Sequence, residues 1–352
     1  MLGLKKTIIL SDFNVCYNRF MKYFKKIICV LLVFILAGCG QVKKYTAYTV
    51  YPIGYLISRI GGNRISSISI QKGDVLVQKA NAIDDFDAII DDSYFLFHIA
   101  DLEPYLEVHA DKINDSDISM VDLSLLNAMY KFQRYTRVSS GEKETYIESP
   151  YYDGEVFNEI DTYDSDLFLW LDPSGMLSLA KDVCDTFSSN YVEQATYFKE
   201  NYEALYSELT TLEASYHSLS EKLKKENKEI KFVCATPSFG CWQKSYGFSI
   251  YPLCLSKYGS LPTEEQYQII KQRILDDNVK YIAYEPNMTD DMRELCDRIQ
   301  SELNLTRINL SNISSLTESQ KEEGKDYISL MYENYNILEN IATSSITQED
   351  ND

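Results

Sequence analysis

A long stretch without glycine or proline, Tyr191–Glu229, most constrains what this chain can fold into. Its apolar side chains recur at intervals of three and four residues, which is the spacing of one buried face of an α-helix. These side chains are Phe198, Tyr202, Leu205, Leu209, Leu212, Tyr216, Leu219 and Leu223. Thirty helical residues extend about 45 Å at a rise of about 1.5 Å each. We therefore predict one unbroken helix near Val192–Lys225, long enough to join two lobes.

The segments before and after this helix alternate between strand patterns and helix patterns. Before it, the β-rich segment Tyr45–Val50 leads into a helix that a double glycine at Gly61 would end. After it, Ile230–Thr236 predicts a strand, and Thr263 begins a helix with a capping box to Gln266. Such alternation is typical of α/β domains. The predicted fold class is α/β, with two α/β lobes joined by a long rigid linker helix.

Composition shifts predict the boundaries of these parts. The N-terminal lobe is placed at 45–173, a helix pair containing the linker helix at 174–229, and the C-terminal lobe at 230–341. Within the first lobe, residues 141–166 hold nine acids, four tyrosines and one lysine. This charge block predicts an exposed acidic loop. The polar residues 342–352 are predicted to be a disordered tail.

The N-terminus carries the pattern of a lipoprotein signal. The apolar run Ile27–Gly38 follows two lysines and is shorter than the about 20 apolar residues of a membrane-spanning helix. Its last residues, leucine, alanine and glycine, form a lipobox with Cys39, which would carry the lipid. We predict a signal peptide at 1–38, with Met21 as a second candidate start, and a lipid-anchored tether at 39–44. The mature protein is then extracytoplasmic and anchored to the cell membrane.

Charge and cysteine usage argue against several classes of protein. The formal net charge is −19 at pH 7, and nucleic acids attract basic surfaces, so no nucleic-acid partner is predicted. Five cysteines follow the lipobox without any CxxC pair, which favours small buried hydrophobes over a disulfide framework or a zinc-thiolate site. No nucleophile–base pair, GxSxG motif or phosphate-binding loop is present. The chain is therefore not predicted to be an enzyme.

Several short motifs follow one another along the chain in a fixed order. They are Ile60–Ile65, Ala100–Leu106, Val121–Ser124, Trp170–Pro173, Leu261–Thr263 and Asp326-Tyr327. Their order and spacing resemble the zinc/manganese solute-binding lipoproteins of ABC importers, the periplasmic zinc-binding and adhesin-like cluster with a rigid helical linker. The resemblance extends from about Tyr45 to Ile341. It implies a membrane-anchored solute-binding lipoprotein, with an ABC permease as partner and zinc or manganese as cargo.

The resemblance also implies where the metal ligands of that family would lie, and this chain departs from the family there. The corresponding positions hold Val77, Phe168, Pro237 and Ser311. Hydrocarbon side chains donate nothing to a cation and a serine hydroxyl is a weak neutral ligand, whereas zinc sites use imidazole, thiolate and carboxylate. The three histidines of the mature chain lie elsewhere in the sequence. We therefore predict no tightly bound zinc or manganese between the lobes.

Aromatic residues near the same positions leave two interpretations of the cleft open. The candidate cleft lining consists of Tyr51, Trp170, Phe239, Trp242, Tyr246 and Glu285. An apolar cleft with few polar groups is typical of an organic-ligand site, but these residues would equally suit two lobes packed shut. The first functional hypothesis is a solute-binding lipoprotein of a metal-type ABC transporter. The alternative is a scaffold reused, without metal cargo, to bind an organic ligand or a surface protein.

Overall fold

The computed structural model describes residues 43–344 apart from 126, 141 and 142. The signal peptide, the lipobox cysteine Cys39 and most of the tether and tail predicted from the sequence therefore lie outside the described residues. In the part of the chain that is described, no helix combines the length and the apolar character needed to cross a membrane.

The N-terminal lobe is built around a four-stranded parallel sheet. The strands of this half are β1 (Tyr45–Tyr48), β2 (Ser67–Ser69), β3 (Gln71–Lys72), β4 (Asn81–Ala82), β5 (Ser93–His98) and β6 (Ser119–Asp122). The parallel sheet has the order β2-β1-β5-β6, and β3 and β4 form a separate antiparallel pair. The helices are α1 (Tyr51–Gly61), α2 (Phe86–Asp91), α3 (Tyr105–Val108) and α4 (Ala110–Asn114). The double glycine ends α1 as predicted, because Gly62 adopts a φ of 52° that favours glycine.

An antiparallel hairpin follows, made of β7 (Arg134–Ser140) and β8 (Lys143–Ser149). The prediction of one loop over residues 141–166 is therefore wrong for Lys143–Ser149, which form a strand. The acids with described side chains are nevertheless mostly exposed, as predicted: Glu148, Asp153, Glu155, Glu159, Asp161 and Asp164 are exposed, whereas Asp166 is buried.

Buried tyrosines explain the rest of that error. Tyr151, Tyr152 and Tyr163 are buried, although acids surround them in the sequence. The Tyr152 hydroxyl donates to the carbonyl of Pro252 at 2.9 Å, and the Tyr163 hydroxyl donates to the carbonyl of Leu102 at 2.9 Å. Each ring thus removes apolar surface from water while its hydroxyl keeps a hydrogen bond, which stabilises an ordered segment.

Two long helices come next, α5 (Pro173–Asn190) and α6 (Ala195–Lys225). The predicted linker helix is confirmed, with a 3-10 turn at Val192–Gln194 in place of its first residues. The apolar seam of α6 is buried except for Tyr202, which is partly buried. This helix packs against α5, α1 and the last helix of the chain.

The C-terminal lobe repeats the architecture of the first. Its strands are β9 (Lys231–Cys234), β10 (Ser249–Pro252), β11 (Tyr281–Tyr284) and β12 (Thr306–Asn309), all parallel in the order β10-β9-β11-β12. Its helices are α7 (Trp242–Tyr246), α8 (Glu264–Asp276), α9 (Asp290–Leu303), α10 (Glu318–Glu322) and α11 (Tyr327–Ser344). The capping box of Thr263 and Gln266 is present at the start of α8. The first residues of the predicted disordered tail, 342–344, belong to α11.

One hydrophobic core is continuous through both lobes and α6. From Tyr45 onward the chain forms a single compact unit, so the lobe boundaries proposed from the sequence stay predictions. The fold class is confirmed as α/β with two lobes joined by a long helix. The cysteines Cys184, Cys234, Cys241, Cys254 and Cys296 are free and buried, as predicted.

Candidate functional site

Both lobes have a topological switch point, where successive connections leave a strand in opposite directions. In open parallel sheets, ligands bind in the crevice beyond the carboxyl ends of the strands at this point. In the C-terminal lobe the switch lies between β9 and β11, which lead into Thr236 and Glu285. In the N-terminal lobe it lies between β1 and β5, and β1 leads into Thr49. These crevices are the places where the fold would hold a solute.

A buried amide cluster fills the crevice of the C-terminal lobe. Asn312 donates through Nδ2 to Glu285 and to the Oδ1 of Asn287 at 3.0 Å, and Asn287 donates back to the Oδ1 of Asn312 at 3.2 Å. Asn287 also donates to the Ser314 hydroxyl at 3.1 Å. Burial raises the pKa of Glu285 to about 7, against the lowering effect of hydrogen bonds from Asn312 and nearby backbone amides. Burial in this cluster therefore favours the protonated form of the Glu285 carboxyl group.

Backbone groups of the same cluster bind the N-terminal half of the chain. The amide of Leu76 donates to the carbonyl of Asn287 at 3.1 Å, and the amide of Tyr51 donates to the carbonyl of Ser314 at 3.0 Å. The indole Nε1 of Trp170 donates to the carbonyl of Asn312 at 2.7 Å. These three bonds come from three separate segments of the first half. The lobes are thus held together by protein–protein hydrogen bonds at the place where a solute would bridge them.

The four positions predicted to correspond to the ligands of the family, here called the inherited ligand positions, are buried. Val77 is 0% exposed, Phe168 is 2% exposed, Ser311 is 8% exposed, and Pro237 is buried as well. Ser311 is occupied within its own turn, because its hydroxyl accepts from the amide of Ile313 at 3.2 Å. The Cys241 thiol lies 3.8 Å from the carbonyl of Phe168, so the turn that follows Pro237 packs against the segment of Phe168.

These residues do not fit a transition-metal site. Three of the four side chains are hydrocarbon, and the fourth, the hydroxyl of Ser311, already accepts a hydrogen bond from the amide of Ile313. Across residues 43–344 and their described side chains, no three His, Cys, Asp or Glu residues come close enough to share a metal ion. Zinc needs about four nitrogen, sulfur or carboxylate ligands, so the described side chains offer it no closed site.

The histidines have structural surroundings. The Nδ1 of His98 lies 3.0 Å from the carbonyl of Ala100, and His109 packs its ring against Phe86 at 4.2 Å between centroids. His217 is exposed on the surface of α6. None of them lies at an inherited ligand position.

Most of the predicted cleft lining is interior, which favours lobes packed shut over an open aromatic cleft. Trp242 donates to the carbonyl of Leu171 at 2.7 Å and stacks on Phe239 at 4.9 Å. The Tyr246 hydroxyl donates to Glu213 at 2.9 Å. These rings and Trp170 are at most 1% exposed, because they form the packing between α6, α7 and the sheet.

Tyr51 differs from the other candidates because it lines a groove between the two halves. The groove has a volume of about 530 Å³, and Thr49 and Gln71 line its N-terminal side while Ser314 and Ser315 line the opposite side. Two tyrosines, Tyr48 and Tyr51, line it together with these polar groups, and none of the other aromatic residues predicted for the cleft does. The sequence thus located the interface but not the chemistry of its opening.

Two buried acids at this interface had no assigned role in the sequence analysis. Glu103 is 1% exposed, and neither carboxylate oxygen has a hydrogen-bond partner of normal geometry among the described residues. Burial raises its pKa to about 8, and the nearby Thr49 hydroxyl lowers it only in part. Burial likewise raises the pKa of Asp166 to about 7, although the Phe168 amide donates to its Oδ1 at 3.1 Å. The sequence offered one signal for each acid. Glu103 lies inside the motif Ala100–Leu106, and Asp166 lies two residues before Phe168.

The comparisons with known proteins identify the lineage of this arrangement. The family described as zinc-uptake complex component A, periplasmic (ZnuA) matches residues 47–341. The zinc-binding protein AdcA of Streptococcus pyogenes is 23% identical over 173 residues, covering 49% of this chain and 32% of AdcA. The zinc-binding lipoprotein AdcA of Streptococcus pneumoniae is 23% identical over 176 residues, covering 50% and 34%. The chain thus spans about a third of the length of these curated relatives.

Solved structures share the fold at low sequence identity. The Zn(II)-bound ZnuA-like domain of Streptococcus pneumoniae AdcA superposes with a TM-score of 0.61 at 17% identity, covering 86% of this chain and 98% of that domain. The periplasmic zinc-binding protein TroA of Treponema pallidum gives 0.63 at 16%, covering 84% and 98%. The laminin-binding protein Lbp of Streptococcus pyogenes gives 0.60 at 15%, covering 85% and 100%. At these identities the likeness establishes the fold alone.

Proposed function

Because this chain belongs to the ZnuA family of periplasmic zinc-uptake components, we propose that it is the solute-binding component of an ABC uptake system at the cell envelope. The observation that carries the proposal is the extent of the match, which runs through both lobes and the linker helix. A solute-binding component delivers its cargo to a membrane permease, so an ABC permease is the proposed partner. The comparisons do not favour the alternative of an adhesin-like scaffold or an organic-ligand carrier replacing this role.

Attachment to the membrane is proposed to occur through a lipid on Cys39. Support comes from the lipobox and the charged and apolar regions before it. Metabolic labelling with a fatty acid is expected to label the wild-type chain but not Cys39→Ala. Cys29→Ala provides a matched control, since it changes a cysteine within the apolar run and should leave the label in place. An unlabelled wild-type chain would refute the anchor.

Partnership with a permease has its own test. The lipidated chain is cross-linked in intact membranes, purified through a tag, and its cross-linked partners are identified by mass spectrometry. We expect a multi-span ABC permease with the wild-type chain and its loss with Cys39→Ala, which removes the chain from the membrane. Absence of any ABC permease from the wild-type sample would contradict the uptake role.

The cargo is proposed not to be held by the inherited ligand set. Desolvating a divalent ion against Val77, Phe168 and Pro237 is costly, since these side chains return no coordination bond. Calorimetric titration of the full chain with zinc and with manganese is expected to detect no tight stoichiometric site. Phe168→His combined with Pro237→His should restore weak affinity at most, because two imidazoles leave a four-ligand site incomplete. Tight stoichiometric binding by the wild-type chain that is lost in Ser311→Ala would overturn this part of the proposal.

A further inference from the structure

A cavity of about 580 Å³ opens beyond the carboxyl ends of β11 and β12. Its walls come only from residues 284–337 of the C-terminal lobe, including side chains of α9, α10 and α11. Small-molecule sites in proteins commonly have volumes of about 300–1,000 Å³ and lie at the carboxyl ends of parallel strands. The cavity therefore has the size of a ligand site and lies at the carboxyl edge of the sheet, beside the switch point between β9 and β11.

Two arginines line this cavity without a carboxylate partner among the described residues. The Arg307 guanidinium lies 4.0 Å from the centroid of the Tyr284 ring and donates through Nε to the Oδ1 of Asn309 at 3.2 Å. Arg293 has one long contact, from Nη2 to the carbonyl of Met288 at 3.5 Å. An unpaired guanidinium offers a fork of N–H donors that matches the geometry of a carboxylate or phosphate.

The contrast with the neighbouring arginine on α9 shows that partners are not scarce. Arg298 forms ion pairs with Glu264 at 2.8 Å and with Glu302 at 3.0 Å. The whole chain carries a formal net charge of −19 at pH 7, so acidic side chains that could pair with an arginine outnumber the basic ones. Two such arginines lining one cavity make it locally electropositive.

The acids that line the cavity do not cancel this charge. Glu333 is paired with Lys325. Glu285 is fully buried and its Oε2 accepts from Asn312. The remaining lining includes amide side chains, such as that of Asn336, and the apolar surfaces of Leu310 and Ile337.

We propose that this cavity binds a small organic anion, with its carboxylate or phosphate group between Arg293 and Arg307 and its carbon skeleton against Leu310 and Ile337. The amide of Asn336 supplies a further hydrogen bond to a polar substituent. The site is separate from the inherited ligand positions apart from Ser311, which contributes one wall. It goes beyond the proposed uptake role and does not depend on it.

Calorimetry on the full chain in detergent tests this proposal with succinate, glycerol 3-phosphate and inorganic phosphate as probes, all without metal. We expect succinate or glycerol 3-phosphate to bind in the millimolar range or tighter and more tightly than inorganic phosphate, because only the organic probes contact the apolar wall. Binding should weaken at higher salt, since charge carries it. A preference for inorganic phosphate would overturn the assignment of an organic anion.

Arginine variants locate the binding. Arg293→Gln and Arg307→Gln are each expected to weaken the preferred organic probe by about tenfold or more, the loss typical of a charge-assisted hydrogen bond. Arg298→Gln, on the same helix but outside the cavity, should leave the affinity unchanged, and thermal melts confirm that each variant is folded. Failure of both organic probes to bind, or equal affinity in both cavity variants and the wild type, would refute the site. Because no metal enters the assay, neither result bears on metal uptake.

Discussion

The two lobes share one strand order but differ in the hydrogen bonds of the buried acid near the switch point, which is Glu285 in one lobe and Glu103 in the other. In the C-terminal lobe, the Oε2 of Glu285 accepts from Asn312 inside a cluster of amides and hydroxyls, and only its Oε1 has no hydrogen-bond partner of normal geometry among the described residues. In the N-terminal lobe, Glu103 is equally buried, yet neither of its oxygens has a hydrogen-bond partner of normal geometry among the described residues. A buried network of hydrogen bonds rigidifies its surroundings, whereas a buried carboxyl group with no partner on either oxygen costs free energy. The same strand order therefore accommodates two different arrangements. The C-terminal lobe has an amide cluster that joins the lobes, and the N-terminal lobe has a buried acid that lowers the free energy of unfolding.

This difference also indicates how the interface is held. The cluster of the C-terminal lobe binds Tyr51, Leu76 and Trp170 of the first half through backbone carbonyls. The acid of the N-terminal lobe makes no comparable bond. The C-terminal cluster therefore joins the halves and Glu103 does not, and four substitutions can test this asymmetry.

The largest effect is expected for Trp170→Ala. The indole is fully buried and bonds to the C-terminal cluster at 2.7 Å, so truncation opens a cavity and removes a hydrogen bond. The free energy of unfolding should fall by about 3–5 kcal/mol in a denaturant titration. Leu125→Ala, at a side chain that is 78% exposed, serves as the control and should change it by less than about 0.5 kcal/mol. Equal effects of the two variants would mean that Trp170 does not join the halves.

The second effect concerns the pH dependence of the N-terminal lobe. The folded pKa of Glu103, about 8, exceeds its usual value of 4.5, so between these values the folded state binds the extra proton. Stability from this group is complete below about pH 4.5 and is lost as the pH rises through 8, with a slope of at most about 1.4 kcal/mol per pH unit. Glu103→Gln should flatten the decline of stability between pH 5 and 8.

The control for that measurement is Glu107→Gln, a nearby exposed acid. It should leave the pH profile of unfolding unchanged. A Glu103→Gln profile that matches the wild type would show that the buried acid does not titrate in this range.

The third effect compares the two crevices directly. Asn312→Leu should lower the free energy of unfolding by about 1–3 kcal/mol, because it leaves Glu285 and Asn287 without their partner. The counterpart is Thr49→Val in the N-terminal lobe, whose hydroxyl has no hydrogen-bond partner of normal geometry among the described residues. That variant should be neutral or slightly stabilising. A larger loss for Thr49→Val than for Asn312→Leu would reverse the comparison.

The smallest effect is expected at the contact between the hairpin and the C-terminal lobe. The Lys244 ammonium on α7 lies 4.9 Å from the ring of Tyr130 and 4.7 Å from the ring of Tyr135. Lys244→Met should lower the free energy of unfolding by about 0.5–1 kcal/mol through loss of the cation–π contacts. Lys181→Met, which removes only an exposed ion pair, is the matched control and should have a smaller effect.

Local periodicity explains what could be predicted from the sequence. The seam of α6 was visible because a helix that buries one face repeats its apolar residues every three or four positions. The helix start at Thr263 was visible because a capping box satisfies backbone groups within four residues. In both cases the interactions that decide the structure are close in sequence.

The errors and omissions involve partners distant in sequence. The acids of 141–166 suggested solvent, but the ordered packing of Tyr152 depends on the carbonyl of Pro252, 100 residues away. Glu103 could not be distinguished from the exposed Asp101 beside it, because burial is a property of the assembled lobe. The departures from the family motif were visible in the sequence, whereas the amide cluster joins residues of two loops, those that follow β11 and β12.

The buried cysteines have a consequence for how this protein can be made outside the cytoplasm. All five described thiols are free and buried, and burial raises the pKa values of Cys234 and Cys241 well above the usual range of a thiol. The thiolate is the species that attacks disulfides and oxidants, so burial disfavours the reactive form of these side chains in the folded state. Among the described residues no disulfide bond links distant parts of the fold, so a reducing environment removes no covalent bond from it. These thiols are open to oxidation only before folding is complete, when they are still exposed to solvent.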